Sequence, residues 1–301
     1  MSAPIEVAVD GRTLRLTNLD KILYPSGFTK GEVVDYHARI AAWIVPHLAG
    51  RCITFRRFPD GTAQQGFFEK RCPAHRPDWV PVALGPGDRD GGIDYCRIEE
   101  PAAMVWAANL AAIELHAPMA LANDLATPRM LVFDFDPGPD TAIAECCHVA
   151  LATRAVLDAV GLEGWCKTSG SKGLQMYVPL NTSGVTHDSA ADFALAVGQV
   201  LERQMPGRVT TLMAKAERPG KVFVDWSQNA LHKTTIAPYS LRARESPTVS
   251  TPVTWDEVSA CASGELALRF EAADVLQRVT ELGDLFDPVL RVEQRLPTPG
   301  G

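Results

Sequence analysis

No stretch of this 301-residue chain approaches the ~20 consecutive apolar residues of a membrane-spanning helix, so no membrane partner is expected. The start, Met1-Ser-Ala-Pro-Ile-Glu-Val, lacks the basic and apolar regions of an export signal, which points to a cytoplasmic protein. No internal repeat and no low-complexity linker divides the chain. Its seven cysteines are odd in number and without paired spacing, as fits a reducing compartment. Cys72-Pro-Ala-His75 has a metal-like spacing, but no second Cys/His pair completes it. Cys146, Cys147 and His148 are adjacent on an expected helix and point in different directions, so structural zinc is not expected. The phosphate-binding pattern G-x-x-x-x-G-K-[ST] is also missing.

What is present is an ordinary globular composition with uneven charge. The net charge of −7 argues mildly against nucleic acid. However, Trp255 to Asp287 holds eight acids and two arginines, whereas Arg12 to Lys30 holds four bases and one acid. Arg51 to Arg57 adds three bases with no acid, and Lys215 to Arg244 has six bases against two acids. Phosphate binding responds to such local fields rather than to the overall charge.

The pattern predicts an α+β protein. Thr29 is a candidate N-cap for a helix over Val33–Val45, with Pro46 and Gly50 marking its stop. Thr54–Phe58 and Gln65–Phe68 read as strands around Pro59-Asp-Gly61, and Met104–Leu115 has helical apolar spacing. A β–α–β series follows. Its strands are Met130–Phe135, Gly164–Thr168, Gln175–Pro179 and Lys221–Asp225, and its helices are Thr141–Val160 and Ser189–Gln204. Trp255–Phe286 reads as one or two acidic helices. The expected organisation is a single domain over 1–296, with a DNA-binding half at 1–125, a catalytic half at 126–255 and acidic helices at 256–296. Residues 297–301 read as a disordered tail.

The run Met130-Leu-Val-Phe-Asp-Phe-Asp-Pro-Gly138 ends an apolar strand in two acids that share one face, Asp134 and Asp136. Such acids repel unless a cation lies between them, which suits Mg²⁺ or Mn²⁺ and a phosphate-bearing substrate. The plainer alternative is a solvated strand end. Asp225 closes a second apolar strand, Lys221-Val-Phe-Val-Asp225, and three carboxylates on neighbouring strand ends would suit a two-metal nucleotidyl-transfer site. Lys167-Thr-Ser-Gly-Ser-Lys-Gly173 between them could cradle an anion with backbone N–H groups, hydroxyls and Lys172.

In order, the motifs L-T-N-x-D-K-x-L-Y-P, F-F-E-K, E-L-H-x-P, V-F-D-x-D-P, T-S-G-S-K-G, K-V-F-V-D-W-S-Q-N and K-T-T-I-A-P-Y-S-L-R closely resemble the polymerase domain of bacterial ATP-dependent DNA ligase D. That domain belongs to the archaeo-eukaryotic primase superfamily, and the resemblance runs from about Leu16 to Trp255. It implies a primase-like fold, with central β-sheets, flanking helices and an RRM-like catalytic half. It also implies that Asp134, Asp136 and Asp225 bind two Mn²⁺ or Mg²⁺ ions. His116, Ser169, Ser171, Lys172, Gln175, Lys233, Arg242 and Arg56 would then bind the incoming NTP or dNTP. Asn18, Lys21 and Lys30 would recognise a downstream 5′-phosphate. Phe67 and Phe68 would pack on the template, with Arg57, Arg218 and Gln228 as further DNA contacts.

Two positions depart from that family. It carries a histidine where this chain has Gln175, and an amide cannot carry charge. Its exposed end-bridging loop corresponds to Gly85–Gly92, which here has two acids and one base. Filling of short gaps or overhangs in DNA is therefore expected ahead of end synapsis, by a monomer. The partners would be gapped or broken duplex DNA and a DNA ligase or Ku-type end-joining proteins, with activity at the bacterial nucleoid. No K-x-D-G ligase nucleophile occurs, and the start at Met1 with the acidic tail suggests a stand-alone relative. One alternative is a non-catalytic gap- or end-binding module with the same fold. An aspartyl phosphatase is disfavoured by Gly138 two residues after Asp136.

Overall fold

The computed structural model describes residues 3–89 and 91–297 and shows mixed helices and sheets, the α+β class expected from sequence. The chain forms two compact units, each assembled from three segments. The first comprises Met1–Pro118, Thr234–Ser250 and Phe270–Asp284; the second comprises Met119–Lys233, Thr251–Arg269 and Leu285–Gly301.

In the first unit, the helix Lys30–Leu48 starts where Thr29 caps it. The Glu32 N–H donates to the Thr29 hydroxyl, and the Glu32 carboxylate accepts from the Thr29 N–H at 2.7 Å. Val33, Tyr36, Ile40, Ile44 and Leu48 recur at helical spacing and are buried. A second helix, Pro101–Asn109, packs on this one. It ends earlier than the apolar spacing suggested. Ala111 turns the chain at φ 56°, and residues 112–117 form a strand rather than more helix. Ile113 and Leu115 alternate there with Glu114 and His116, a period-2 pattern that overlaps the helical one. The four-stranded sheet is antiparallel, in the order Thr235–Ile236, Ala112–Ala117, Thr54–Arg57, Phe67–Glu69.

Two other expectations are corrected here. Cys72 and Cys96 are joined by a disulfide, with Cα atoms 4.8 Å apart, so not all the cysteines are free thiols. The expected loop at Gly85–Gly92 is drawn into an antiparallel ribbon of Val82–Arg89 with Gly91–Cys96. Asp90 of that loop, like residues 298–301 of the expected tail, lies outside the described residues.

The second unit is built on a six-stranded sheet in the order Val209–Thr210, Val222–Asp225, Met130–Pro137, Leu174–Pro179, Trp165–Thr168, Pro252–Val253. Neighbours are antiparallel except Val209–Thr210 and Val222–Asp225, which are parallel. Met130 to Phe135 is buried at every position, which is why the strand reads as a continuous apolar run. The helices Ile143–Asp158 and His187–Gln204 pack against this strand, and Trp255–Ala262 packs on Ile143–Asp158. The acidic stretch expected after Trp255 is two separate helices, Trp255–Ala262 in this unit and Ala272–Leu282 in the first. Among the described residues no helix is long and apolar enough to cross a membrane.

Replacing Thr29 by Ala removes the hydroxyl from this cap. The expected cost is about 1 kcal/mol, seen as a lower urea midpoint with an unchanged slope.

Candidate active site

In the second unit the two acid-bearing strands are adjacent. Asp134 lies directly opposite Asp225 on one side and opposite Gln175 on the other. Asp136 shares a face with Asp134 by strand alternation. Asp134 is 8% exposed, and its Oδ1 is buried without a hydrogen-bond partner. Burial pushes its carboxyl up to about 8. Asp136 and Asp225 add to the rise, and Gln175 and Lys167 oppose it. Asp225 is oriented from its own turn. Its Oδ1 accepts from the Ser227 N–H at 3.0 Å and the Ser227 hydroxyl at 2.6 Å, and its Oδ2 accepts from Gln228 Nε2 at 3.0 Å.

An orphaned carboxylate oxygen beside two more acids is a hard-oxygen donor set that fits Mg²⁺ or Mn²⁺. Among the described residues no group of three or more His, Cys, Asp or Glu side chains is placed so as to hold a metal ion by itself. Ions of this kind usually keep water and substrate phosphates as ligands, so a partial protein shell is compatible with them.

Lys167, whose role the sequence did not reveal, is fully buried. Its Nζ donates to Gln175 Oε1 at 2.6 Å and lies 5.4 Å from the centre of the Tyr177 ring. With the amide oxygen engaged, the Gln175 NH₂ is the end left to face Asp134. The following loop closes around Ser169, whose hydroxyl accepts from the N–H groups of Ser171 at 3.3 Å and Gly173 at 3.1 Å. Ser171 and Lys172 are exposed on its outside. Two glycines permit close approach. A Cβ on Gly173 would lie 2.5 Å from the Phe135 carbonyl oxygen, and one on Gly138 would lie 1.9 Å from that of Arg218. The Arg218 guanidinium lies 3.7 Å from the Phe223 ring centre and donates to the Met213 carbonyl. Lys233 is half-buried, and its N–H closes a turn on Ala230.

In the first unit, Arg56, His116 and Arg242 converge on Glu114, a residue not singled out from sequence. Its carboxylate pairs with Arg242 Nε at 3.2 Å and Arg56 Nη1 at 3.3 Å, and meets His116 Nε2 at 2.9 Å. The Ala243 N–H donates to it at 3.1 Å. Burial alone would raise this carboxyl. The His116 hydrogen bond, Arg242 and the Ala243 N–H outweigh burial and hold it at about 2. The signal in the sequence was the spacing Glu114-Leu-His116, which puts both side chains on one strand face.

Phe68 is 59% exposed and Phe67 45%. Phe68 stands edge-on to His116 at 5.5 Å and lies under the Arg56 guanidinium at 5.3 Å. Phe67 lies under Arg57 at 5.4 Å, and Arg57 pairs with Glu69 at 3.0 Å.

A separate cavity of about 280 Å³ in the same unit gathers Asn18, Lys21 and Lys30, the three residues expected together, with Arg57, Asp60 and Asn109. Lys30 Nζ donates to the Thr17 carbonyl at 2.7 Å. Burial, with Lys21 and Arg57, lowers Lys30 to about 8. Asp60 pairs with Lys21 at 3.3 Å.

The family model for the LigD primase-polymerase domain matches residues 29–286. The chain is 44% identical over 280 residues to the multifunctional non-homologous end joining protein LigD of Mycolicibacterium smegmatis, covering 92% of this chain and 36% of that protein. It is 29% identical over 285 residues to the bifunctional non-homologous end joining protein LigD of Bacillus subtilis, covering 94% of this chain and 45% of that protein. The chain thus spans less than half the length of these relatives. Among solved structures, the polymerase domain of Mycobacterium tuberculosis ligase D in complex with DNA matches with a TM-score of 0.85 and 40% identity, over 93% of this chain and 99% of that one.

Two outcomes are expected from this geometry. Gly138→Ala forces its Cβ into the Arg218 carbonyl and should cost about 1–3 kcal/mol, read as a lower thermal midpoint; an unchanged midpoint would show that segment 215–221 yields freely. Glu114 lies at about 2 against an ordinary 4.5, so its contribution is complete above pH 4.5 and is lost as pH falls through 2. About 3 kcal/mol should disappear across that window, and Glu114→Gln should flatten the stability profile there.

Proposed function

The chain belongs to the LigD primase-polymerase domain family of DNA-directed nucleotidyltransferases, and on that premise we propose that it extends a 3′-hydroxyl across short gaps or overhangs in DNA during repair. The observation carrying this reading is the pairing of Asp134 opposite Asp225, with Asp136 on the same face and the Asp134 Oδ1 unpartnered. Asp134, Asp136 and Asp225 would hold the divalent ions, with Mn²⁺ preferred. Bound ions of this kind supply Lewis-acid stabilisation to the attacking and leaving oxygens of nucleotidyl transfer.

The chain's own groups divide the remaining work. Gln175, held by Lys167, keeps the Asp134 carboxylate in place. The loop around Ser169, with Ser171 and Lys172, offers N–H groups, a hydroxyl and a charge to a triphosphate. His116, Arg56, Arg242 and Lys233 bind the incoming nucleotide, ribonucleotides in preference to deoxyribonucleotides. Phe67 and Phe68 present faces on which a template base can stack. Arg57, Arg218 and Gln228 add DNA contacts. Asn18, Lys21 and Lys30 receive a downstream 5′-phosphate, and an end-joining ligase or Ku-type protein would be the partner on the DNA.

The test is primer extension on a short-gapped duplex, with and without a downstream 5′-phosphate, with Mn²⁺ and with NTPs compared to dNTPs. Asp134→Ala should reduce incorporation to roughly 1% or less, and the phosphate should enhance it. DNA binding without incorporation would replace this reading with that of a gap-binding module.

Lys21→Ala with Lys30→Ala should abolish the phosphate preference and lower the salt dependence of binding by about one unit of slope per lost contact. Lys30 must be protonated to hold an anion, so the preference should weaken as pH rises through 8. Lys30→Arg should remove that decline, since arginine stays charged.

A further inference from the structure

His116 makes one hydrogen bond, from Nε2 to Glu114, and among the described residues its Nδ1 has none. A carboxylate only accepts, so Nε2 must carry the proton. The charged groups facing the imidazole are Glu114 on its own strand, Arg56 on the neighbouring strand and Arg242 on the segment after Thr235–Ile236. Burial lowers the imidazole below its ordinary range, the Glu114 contacts oppose this, and the two arginines add to the lowering. At neutral pH the ring is therefore neutral, with Nδ1 a bare acceptor.

We propose that Glu114 is a positioning residue that fixes the Nε2–H tautomer of His116 and aims Arg56 and Arg242, so that His116 reads a sugar hydroxyl of the nucleotide while the arginines take its phosphates. This deepens, and rests on, the reading of those three residues as nucleotide contacts.

The division of labour follows from donor chemistry. A bare Nδ1 repels a phosphate oxygen, which is also an acceptor, and pairs with an O–H. The arginines have only donors, and each has spent part of its guanidinium on Glu114. Four hydrogen bonds occupy the two Glu114 oxygens, from Ala243 N and Arg56 on Oε1 and from His116 and Arg56 on Oε2, while Arg242 Nε lies 3.2 Å from Oε1 as an ion pair. That fills the roughly four lone-pair positions of a carboxylate. Rotation of Glu114 would therefore break several bonds at once, and the three side chains are held as a set. An amide in its place could present its NH₂ to Nε2 and favour the other tautomer.

The tautomer is read directly, without activity, from long-range ¹⁵N–¹H correlation spectra of the histidines, with His116 assigned from a His116→Gln spectrum. The expected pattern is Nε2–H; an Nδ1–H pattern in the wild-type protein overturns the proposal even if every variant is inactive. The imidazole should titrate below 6.5 and lower still in Glu114→Gln, where the carboxylate that favours its charged form is gone; a rise overturns the proposal.

In steady-state extension, Glu114→Gln should raise the nucleotide KM roughly tenfold with a smaller change in kcat, and should narrow the NTP-over-dNTP ratio. Glu114→Asp should recover part of both. Unchanged KM and ratio, or tighter binding through release of the arginine charge, would overturn the positioning role. If His116→Ala and Arg242→Ala also leave KM unchanged, the nucleotide-contact reading fails instead, and the spectra alone then decide what Glu114 does.

Discussion

Three carboxylates, one of them buried and two half-buried, cannot crowd two adjacent strands unless something opposes their charge, and the second unit is organised around that requirement. Asp134 is out of water with one oxygen unpartnered, a situation that costs several kcal/mol unless the group is neutralised or paired. The surrounding residues answer it from three directions. Lys167 sits fully buried on the far side of Gln175 and supplies positive charge that opposes the rise at Asp134. Ser227 and Gln228 donate to Asp225. Gly138 and Gly173 have no side chain, so the loop carrying Arg218 and the loop after Ser169 can come up against the strand. The unpartnered Asp134 oxygen beside two further acids is the feature that a bound cation would relieve.

The first unit meets the opposite problem, an excess of buried positive charge, in two ways. Between Arg56 and Arg242 the acid Glu114 accepts hydrogen bonds from Arg56, His116 and the Ala243 N–H and pairs with Arg242. In the cavity lined by Lys21 and Lys30 the acid is peripheral. Asp60 reaches Lys21 at the exposed edge, where an ion pair is worth little, while Lys30 leans on a backbone carbonyl. The first arrangement ties its basic groups to one buried acid, and the second leaves Lys30 bonded to Thr17 rather than to a carboxylate. Both coexist with an overall charge of −7 because the acidic stretch after Trp255 is shared between the two units.

How much of this was legible depends on whether a signal is local. The two acids at the end of an apolar strand, the small-residue loop and the Thr29 cap depend on neighbours in sequence, and they were readable. So was the resemblance carried by long motifs. Glu114 and Lys167 were not, because each is a charged residue inside an apolar segment, and only tertiary contacts distinguish a buried hub from a solvated position. Glu114 was further hidden by the apolar spacing of 104–115, which fits a helix until Ala111 breaks it. The Cys72–Cys96 pair is 24 residues apart and carries no spacing rule. The make-up of the units was equally hidden, since Thr234–Ser250 and Phe270–Asp284 join the first unit through packing rather than chain order.

The Gln175 position shows how one departure from a family pattern is absorbed. A histidine there could carry charge beside Asp134 and would change its state with pH. The amide cannot, and its oxygen is already committed to Lys167, so its NH₂ is directed toward the acid. The charge that opposes the rise at Asp134 then comes from Lys167, which is buried and held by its bond to the Gln175 amide oxygen. Gln175 therefore does not leave a hole in the site. It turns a pair of adjacent residues, one cationic and one neutral, into a fixed dipole and charge behind the carboxylates.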